Sequence, residues 1–131
     1  MRKLTSHKVN ECNEAISIEV HDEPGHGNAC HAYAVYGFHT KGNNSADATN
    51  NDETCLKILF QNGPIKEHGT NGITQEVLLA IVEDRLQGFQ SGPYACRENA
   101  VALTKIQEAM MWLQKRTRDR LARGVEGTHE K

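Results

Sequence analysis

Side chains repeat with a period of two along two short runs in the first half of the chain, and a third run is rich in β-forming residues. The runs are Ala15–Val20, Ala32–Phe38 and Thr54–Gln61. A period of two is typical of β-strands, because successive side chains point to opposite faces of a sheet. Turn-forming residues fill the first connection, 22–29, while the second, 39–53, is long, polar and rich in Asn. We therefore predict a small antiparallel sheet whose second connection is a mobile loop.

In the second half, hydrophobic side chains recur at every third or fourth position, which is the helical pattern. Thr74–Gln90 carries one such stripe, and the breakers Ser91–Pro93 end it. The pattern resumes at Pro93 and continues in steps close to seven residues up to Arg123, where Gly124 favours a helix end. We predict two helices, of which the second has roughly 31 residues and spans roughly 46 Å.

The two predicted helices differ in length, and this difference bears on assembly. The first has about 17 residues, so the far end of the second has no helical neighbour within the chain. Either the sheet or another copy of the chain must cover that end. Because a long helix with a stripe at seven-residue spacing favours association, we predict at least a dimer.

Length and composition set the class of protein. The chain has 131 residues, a formal net charge of -2 and a mean hydropathy of -0.64. We predict a single α+β domain over 1–131, with a small N-terminal antiparallel sheet in 1–73 and a C-terminal two-helix hairpin in 74–131. No run approaches the ~20 apolar residues of a membrane-spanning helix, and the polar start argues against a signal peptide. We expect a protein of the reducing cytosol that does not enter a membrane.

Cysteine and histidine residues are the possible metal ligands. The cysteines are Cys12, Cys30, Cys55 and Cys96. Their spacing matches neither a paired-thiol metal motif nor a disulfide framework, so we expect free, mostly buried thiols. The densest set of possible ligands is His21, His26, Cys30 and His31. Since that spacing fits no regular zinc motif, we predict a solvated histidine loop beside a strand, with no metal and no cofactor, and zinc binding is the alternative interpretation.

A basic cluster lies near the end of the second predicted helix. Its members are Lys115, Arg116, Arg118, Arg120 and Arg123. Arg116 and Arg120 are four residues apart and project from one face, so their guanidinium groups can grip a phosphate together. The other interpretation is that these cations complement the helix dipole and remain solvated. Because the net charge of -2 argues against a broad nucleic-acid surface, we favour a small anion over DNA as the ligand.

At the other end of the predicted hairpin, Phe89 precedes the turn Gln90–Tyr94 and Asn99 follows it. An aromatic ring and an amide in this place can stack on a nucleotide base and hydrogen-bond to it. An ordinary core role for Phe89 is the alternative. The sequence contains no nucleophile elbow, zinc-protease helix motif, P-loop or dinucleotide glycine motif, so no catalytic residue is predicted.

The chain from Ile58 onward strongly resembles one known family. The matching stretches are Leu59–Thr74, Leu78–Arg120 and Ala122–His129, and the histidine-rich segment Asp22–Val35 is also similar. The family is the first of the phage Thoeris anti-defence proteins, which sequester the cyclic ADP-ribose signal made by bacterial TIR enzymes. The resemblance covers more than half of the chain.

The resemblance implies a non-catalytic sponge that holds glycocyclic ADP-ribose intact in the cytoplasm of the bacterial host, so that Thoeris defence is not activated. It implies a hairpin shared with anti-CBASS proteins, and in some members cyclic di- or trinucleotides bind at separate sites of a hexamer of three dimers. Carried over by motif, the ligand-binding residues are Phe89, Asn99, Arg116 and Arg120. A metal-assisted hydrolase of cyclic nucleotides and a helical protein interaction module are the alternative functions.

Helix geometry adds a constraint on this site. Asn99 and Arg116 are 17 positions apart on one predicted helix. That separation is about 25 Å along the axis, whereas a cyclic ADP-ribose is only on the order of 10 Å across. One chain therefore cannot supply both contacts to one ligand. We predict two composite sites per dimer, each formed by the aromatic end of one hairpin and the basic end of the other.

Overall fold

The computed structural model describes residues 1–46 and 54–128. The chain divides into two compact units, Met1–Asn62 and Gly63–Lys131. The strands lie in the first unit and the two long helices in the second, so the predicted α+β class is confirmed. The single domain predicted from the length stays a prediction, and positions 47–53 of the predicted mobile loop lie outside the described residues.

The first unit is built on a four-stranded antiparallel sheet with its strands in chain order. The strands are β1 (Arg2–Leu4), β2 (Ser17–Val20), β3 (Ala32–Tyr36) and β4 (Leu56–Leu59). The last three confirm the three strands predicted from the sequence, with fewer residues at their ends. β1 and the short helix α1 (Glu11–Ala15) have no counterpart in the sequence prediction, because such short elements carry too little periodicity.

The interior of the sheet unit is small. Val20 and Ala34 are almost fully buried, each with 1% of its surface exposed. In the register of β2 with β3, Glu19 is opposite Ala34, so Val20 points to the other face of the sheet. The Tyr33 and Phe60 rings pack edge to face with their centroids 5.5 Å apart. Burial therefore occurs on both faces at the centre of the sheet.

Asp22 fixes the connection between β2 and β3. Its carboxylate accepts backbone N–H bonds from Ala32 at 3.0 Å and from His31 at 2.9 Å. These bonds favour the ionised form and hold the pKa of Asp22 below its usual value. His31 is itself buried, and its Nδ1 lies 3.9 Å from Oδ2 of Asp22. The turn-rich connection is therefore anchored to the start of β3.

Replacing Asp22 with Asn is expected to flatten the acid limb of the stability profile, which is the fall in the free energy of unfolding as the pH decreases. Because the pKa of Asp22 is lower in the folded state, the ionised carboxylate stabilises the fold above the unfolded pKa near ~3.9, and this stabilisation is lost as pH falls through the folded pKa. Thermal melting across acidic and neutral pH measures the effect. The matched control is Glu23→Gln, at the exposed neighbouring carboxylate. Identical acid limbs for Asp22→Asn and the unmodified protein would contradict this account.

The second unit is a helical hairpin preceded by a single-turn helix. Its helices are α2 (Ile65–His68), α3 (Gln75–Gln90) and α4 (Arg97–Arg123). α3 and α4 pack against each other, and the Thr74 hydroxyl caps α3 by accepting the Val77 N–H at 3.4 Å. With 27 residues, α4 spans about 40 Å. No helix in the described parts of the chain is long and apolar enough to cross a membrane.

α4 begins at Arg97 and not at Pro93, so the predicted start is wrong by four residues. The Gln90 Oε1 accepts the Cys96 N–H at 3.0 Å, and the Cys96 Sγ accepts the Asn99 N–H at 3.4 Å. The first bond holds the connection between the helices as a turn, and the second caps α4 at Cys96. The Gln90 side chain before the turn and the Cys96 cap after it thus determine where α4 begins.

The hairpin leaves large hydrophobic side chains exposed. Trp112 is 70% exposed and Ile81 is 55% exposed. Between positions 63 and 128, the buried residues are Arg120 and Gly127. Neither is an apolar side chain, so the hairpin buries no hydrophobic residue fully by itself. Exposed apolar surface of this kind favours association with another protein surface.

The four cysteines are free thiols, as predicted. Cys30 is buried and Cys55 is half-buried, but Cys12 and Cys96 are exposed. The expectation that the thiols are mostly buried is therefore wrong. For Cys96 the reason is its place at the helix N-cap, where the sulfur accepts a backbone N–H bond in place of packing into a core.

Candidate ligand-binding site

The chain turns back on itself where α4 ends. Gly124 has a positive φ of 74°, which glycine adopts without strain. Its N–H bonds to the Leu121 carbonyl at 3.1 Å, and the N–H of Val125 bonds to the Arg120 carbonyl at 3.0 Å. This pair of bonds is the Schellman motif, which directs the C-terminal tail, Val125–Thr128, back along the helix. The predicted helix end at Gly124 is confirmed.

The C-terminal tail covers the guanidinium group of Arg120. Its Nη2 donates to the Val125 carbonyl at 2.9 Å and to the Thr128 carbonyl at 3.0 Å. Its Nε lies 3.4 Å from Oε2 of Glu126. Arg120 is accordingly buried, with 6% of its surface exposed. One of the two arginines predicted to face phosphates is thus already engaged by the protein's own chain.

A cavity of about 420 Å³ lies along one face of α4. Its lining residues are Trp112, Lys115, Arg116, Asp119, Arg120 and Arg123. Counted from Trp112 they stand at positions i, i+3, i+4, i+7, i+8 and i+11, so they project from one side of the helix. Four of them are cations, and the Asp119 carboxylate is ion-paired with Lys115 at 2.7 Å. The volume lies within the usual range of small-molecule sites, and the lining suits an anion.

Arg116 is a cation of this cavity that is available to a ligand. It is exposed, and within positions 1–46 and 54–128 it has no hydrogen-bond or ion-pair partner. Its planar guanidinium group can bind two phosphate oxygens at once. Arg116 and Arg120 line the same cavity, as their spacing predicts. They differ in that Arg116 is exposed, whereas Arg120 is buried and bonded to the C-terminal tail.

The other end of the hairpin gathers Phe89, Tyr94 and Asn99. The two rings meet edge to face, with centroids 6.2 Å apart and planes at 88°. The Asn99 Nδ2 donates to the Tyr94 carbonyl at 3.3 Å. The Cζ atom of Arg85 lies 5.3 Å from the centroid of the Phe89 ring. The structure therefore brings Phe89 and Asn99 together through Tyr94, at the start of α4.

The aromatic end and the basic end are separated within one chain. Asn99 and Arg116 both lie on the uninterrupted helix α4, 17 positions apart. At 1.5 Å per residue, their separation is about 25 Å along the axis. The structure thus pairs Phe89 with Asn99 and Arg116 with Arg120, but the hairpin of one chain does not bring the two pairs together.

Comparison with known proteins identifies the family. The model of the Acb2/Tad1 hairpin domain matches residues 51–118, which is more than half of the chain. A curated relative, Thoeris anti-defense 1 of Bacillus phage SBSphiJ7, is 53% identical over 93 residues. The chain belongs to the Acb2/Tad1 hairpin family. The family resemblance carried by the sequence motifs is therefore confirmed.

The extent of each match matters for the site. The identity with Thoeris anti-defense 1 covers 70% of this chain and 66% of the relative, so the match spans just under two thirds of the relative's length. The Acb2/Tad1 hairpin match, 51–118, contains Phe89, Asn99 and Arg116 but ends before Arg120. Arg120 and the C-terminal tail therefore lie beyond the matched hairpin.

The histidines of the sheet unit form no metal centre among the described residues. The His21 Nε2 lies 3.0 Å from Oε1 of Glu19, and His26 lies in an exposed 3₁₀ turn. No three His, Cys, Asp or Glu side chains in 1–46 and 54–128 come together as a possible metal site. The predicted solvated histidine loop fits the exposed His21 and His26, but it does not fit His31, which is buried.

Two residues at the basic end of the hairpin, Trp112 and Glu126, are not among the site residues predicted from the sequence. Trp112 lies four positions before Arg116, and that spacing was the available signal, although an aromatic residue at a helical position is more typical of packing. No local pattern marks Glu126, because its contact with Arg120 depends on the return of the tail at Gly124.

Proposed function

We propose that this protein captures glycocyclic ADP-ribose, the signal of bacterial TIR enzymes, and holds it uncleaved in the host cytoplasm, so that Thoeris defence is not activated. The observation that carries the proposal is the 53% identity with a protein named Thoeris anti-defense 1. Membership of the Acb2/Tad1 hairpin family supports it further. The electropositive cavity along α4 suits a ligand that carries two phosphates.

Each end of the hairpin has a distinct role in this proposal. Phe89 stacks on the adenine base and Asn99 hydrogen-bonds to the ligand, while Arg116 and Arg120 bind its phosphates. Stacking contributes ~1 to 3 kcal/mol per base, and a hydrogen bond to a charged group nets ~1.5 to 3 kcal/mol. These contributions approach the ~12 kcal/mol of a nanomolar complex only if the site is formed before binding, because ordering subtracts from affinity.

The complete site requires two copies of the chain. Support comes from the separation of about 25 Å between Asn99 and Arg116, which exceeds the size of the ligand. The exposed Trp112 and Ile81 side chains supply apolar surface for pairing of hairpins. An isologous two-fold dimer then contains two composite sites, and a hexamer of three such dimers is the larger assembly proposed for this chain.

Binding without cleavage is the proposed outcome for the captured signal. Hydrolysis of a phosphoanhydride or glycosidic bond needs a positioned acid, base or metal. The carboxylate that lines the cavity, Asp119, is engaged by Lys115 at 2.7 Å. The cavity therefore supplies binding groups and no evident acid–base pair, which favours a sponge over an enzyme.

Mixing the protein with an equal amount of glycocyclic ADP-ribose is expected to raise the melting temperature, because a ligand that binds only the native state stabilises it by mass action. After heat denaturation, chromatography should recover the ligand intact. Cleaved fragments would instead indicate the hydrolase. If no member of a panel containing ADP-ribose and cyclic di- and trinucleotides shifts the melting temperature, the protein interaction module becomes the better account.

A further inference from the structure

Glu126 places a carboxylate beside the buried arginine of the cavity. Its Oε2 lies 3.4 Å from Nε of Arg120, and the two side chains are 32% and 7% exposed respectively. The same Oε2 atom is buried and accepts no hydrogen bond from any described residue. A charge-assisted N–H···O bond is normally about 2.7 to 2.9 Å long, so this longer contact is an ion pair without a hydrogen bond.

This arrangement neutralises Arg120 in the protein without ligand. A buried guanidinium group is unfavourable unless an anion and hydrogen-bond acceptors compensate it. The carbonyls of Val125 and Thr128 act as the acceptors, and Glu126 supplies the negative charge. The carboxylate thus occupies the side of the guanidinium group at Nε.

The backbone that carries Glu126 is fixed on its other side. The Gly127 carbonyl accepts the Lys66 N–H of α2 at 3.1 Å. Gly127 has a φ of 83°, and a Cβ built on it would lie 2.9 Å from Cγ1 of Ile65. The tail is therefore held against α2 as well as against Arg120, so rotation of the Glu126 side chain frees Nε with less disruption than release of the backbone.

We infer that Glu126 is a resident anion that competes with the ligand's phosphate for Arg120 and thereby lowers the affinity of the site. The inference rests on the proposed function, because it takes a phosphate to Arg120. A phosphate that reaches this guanidinium group from the cavity comes close to the Glu126 carboxylate, and like charges at short distance repel. Part of the attraction of the basic cavity is therefore offset by the protein itself.

The variant Glu126→Gln tests this inference, since it removes the charge and keeps the size of the side chain. Calorimetry with glycocyclic ADP-ribose is expected to give about tenfold tighter binding than the unmodified protein, with steeper salt dependence. The matched control is Glu108→Gln, which removes the same charge from a half-exposed pair with Lys105 elsewhere on α4 and should leave affinity unchanged. Unchanged or weaker binding by Glu126→Gln would overturn the inference.

Inorganic pyrophosphate separates this inference from the proposed function. The rise in melting temperature that pyrophosphate causes should be larger in Glu126→Gln than in the unmodified protein, whether or not either binds the cyclic ligand. Loss of cyclic-ligand binding with a larger pyrophosphate shift refutes the function and supports the competing role of Glu126. Equal pyrophosphate shifts refute that role. A second variant, Glu126→Ala, extends the comparison should the glutamine side chain disturb the tail.

Discussion

Replacing Arg116 with Ala is expected to weaken ligand binding by ~2 kcal/mol, or about thirtyfold, and to leave the melting temperature unchanged. Arg116 is exposed and has no ion-pair or hydrogen-bond partner in the described parts of the chain, so the fold loses no ion pair and no side-chain hydrogen bond.

Replacing Arg120 with Ala is expected to weaken binding and also to lower the free energy of unfolding by ~2 to 3 kcal/mol. The carbonyls of Val125 and Thr128 then lose the bonds donated by Nη2 of Arg120, and Glu126 loses its counter-charge.

Calorimetry and thermal melting of the two variants separate these effects. Arg118→Ala is the matched control, because Arg118 is an exposed arginine of the same helix that does not line the cavity. It should change neither affinity nor stability. Should the double variant Arg116→Ala, Arg120→Ala keep full affinity, the basic cluster would serve only to complement the dipole of α4.

The pattern of the sequence is sufficient to predict the longer elements. A period of two marks β2 and β3, β-forming residues mark β4, and helical spacing marks α3 and α4, because runs of this length carry a recognisable local pattern. β1 has three residues and pairs with β2 along its whole length, so tertiary pairing and not local pattern creates it. The start of α4 is misplaced for a similar reason, since the bond from the Gln90 side chain to the Cys96 N–H decides where the turn ends.

The candidate site is predictable in its spacing but not in its burial. A separation of four residues places Arg116 and Arg120 on one helix face, and the cavity along α4 is lined by both. The sequence alone treats the two as equivalent. They become different because the Schellman turn at Gly124 returns the tail over Arg120, and a contact between Arg120 and Glu126 follows from that return. A return of the chain just after a helix end leaves no periodic signal.

Complementation between two weakened variants is expected to restore full-affinity binding, and this is the most direct test of the composite site. Phe89→Ala, Asn99→Ala damages the aromatic end of every hairpin, whereas Arg116→Ala damages the basic end. Each variant alone forms dimers in which both sites are damaged. A dimer with one copy of each contains one intact site, made by the unaltered aromatic end of one copy and the unaltered basic end of the other.

After equal amounts of the two variants are mixed and allowed to exchange subunits, about a quarter of all sites should bind with full affinity, since half of the dimers are mixed and each has one intact site of two. Calorimetry of the mixture gives this stoichiometry, and the separate variants, measured at the same total concentration, are the controls. A site contained within one chain cannot be rebuilt by mixing, because both damaged ends stay damaged in every copy. No recovery in a mixture whose subunits have demonstrably exchanged would therefore rule out the two-chain site, and the phosphate and base contacts would have to be found within a single copy.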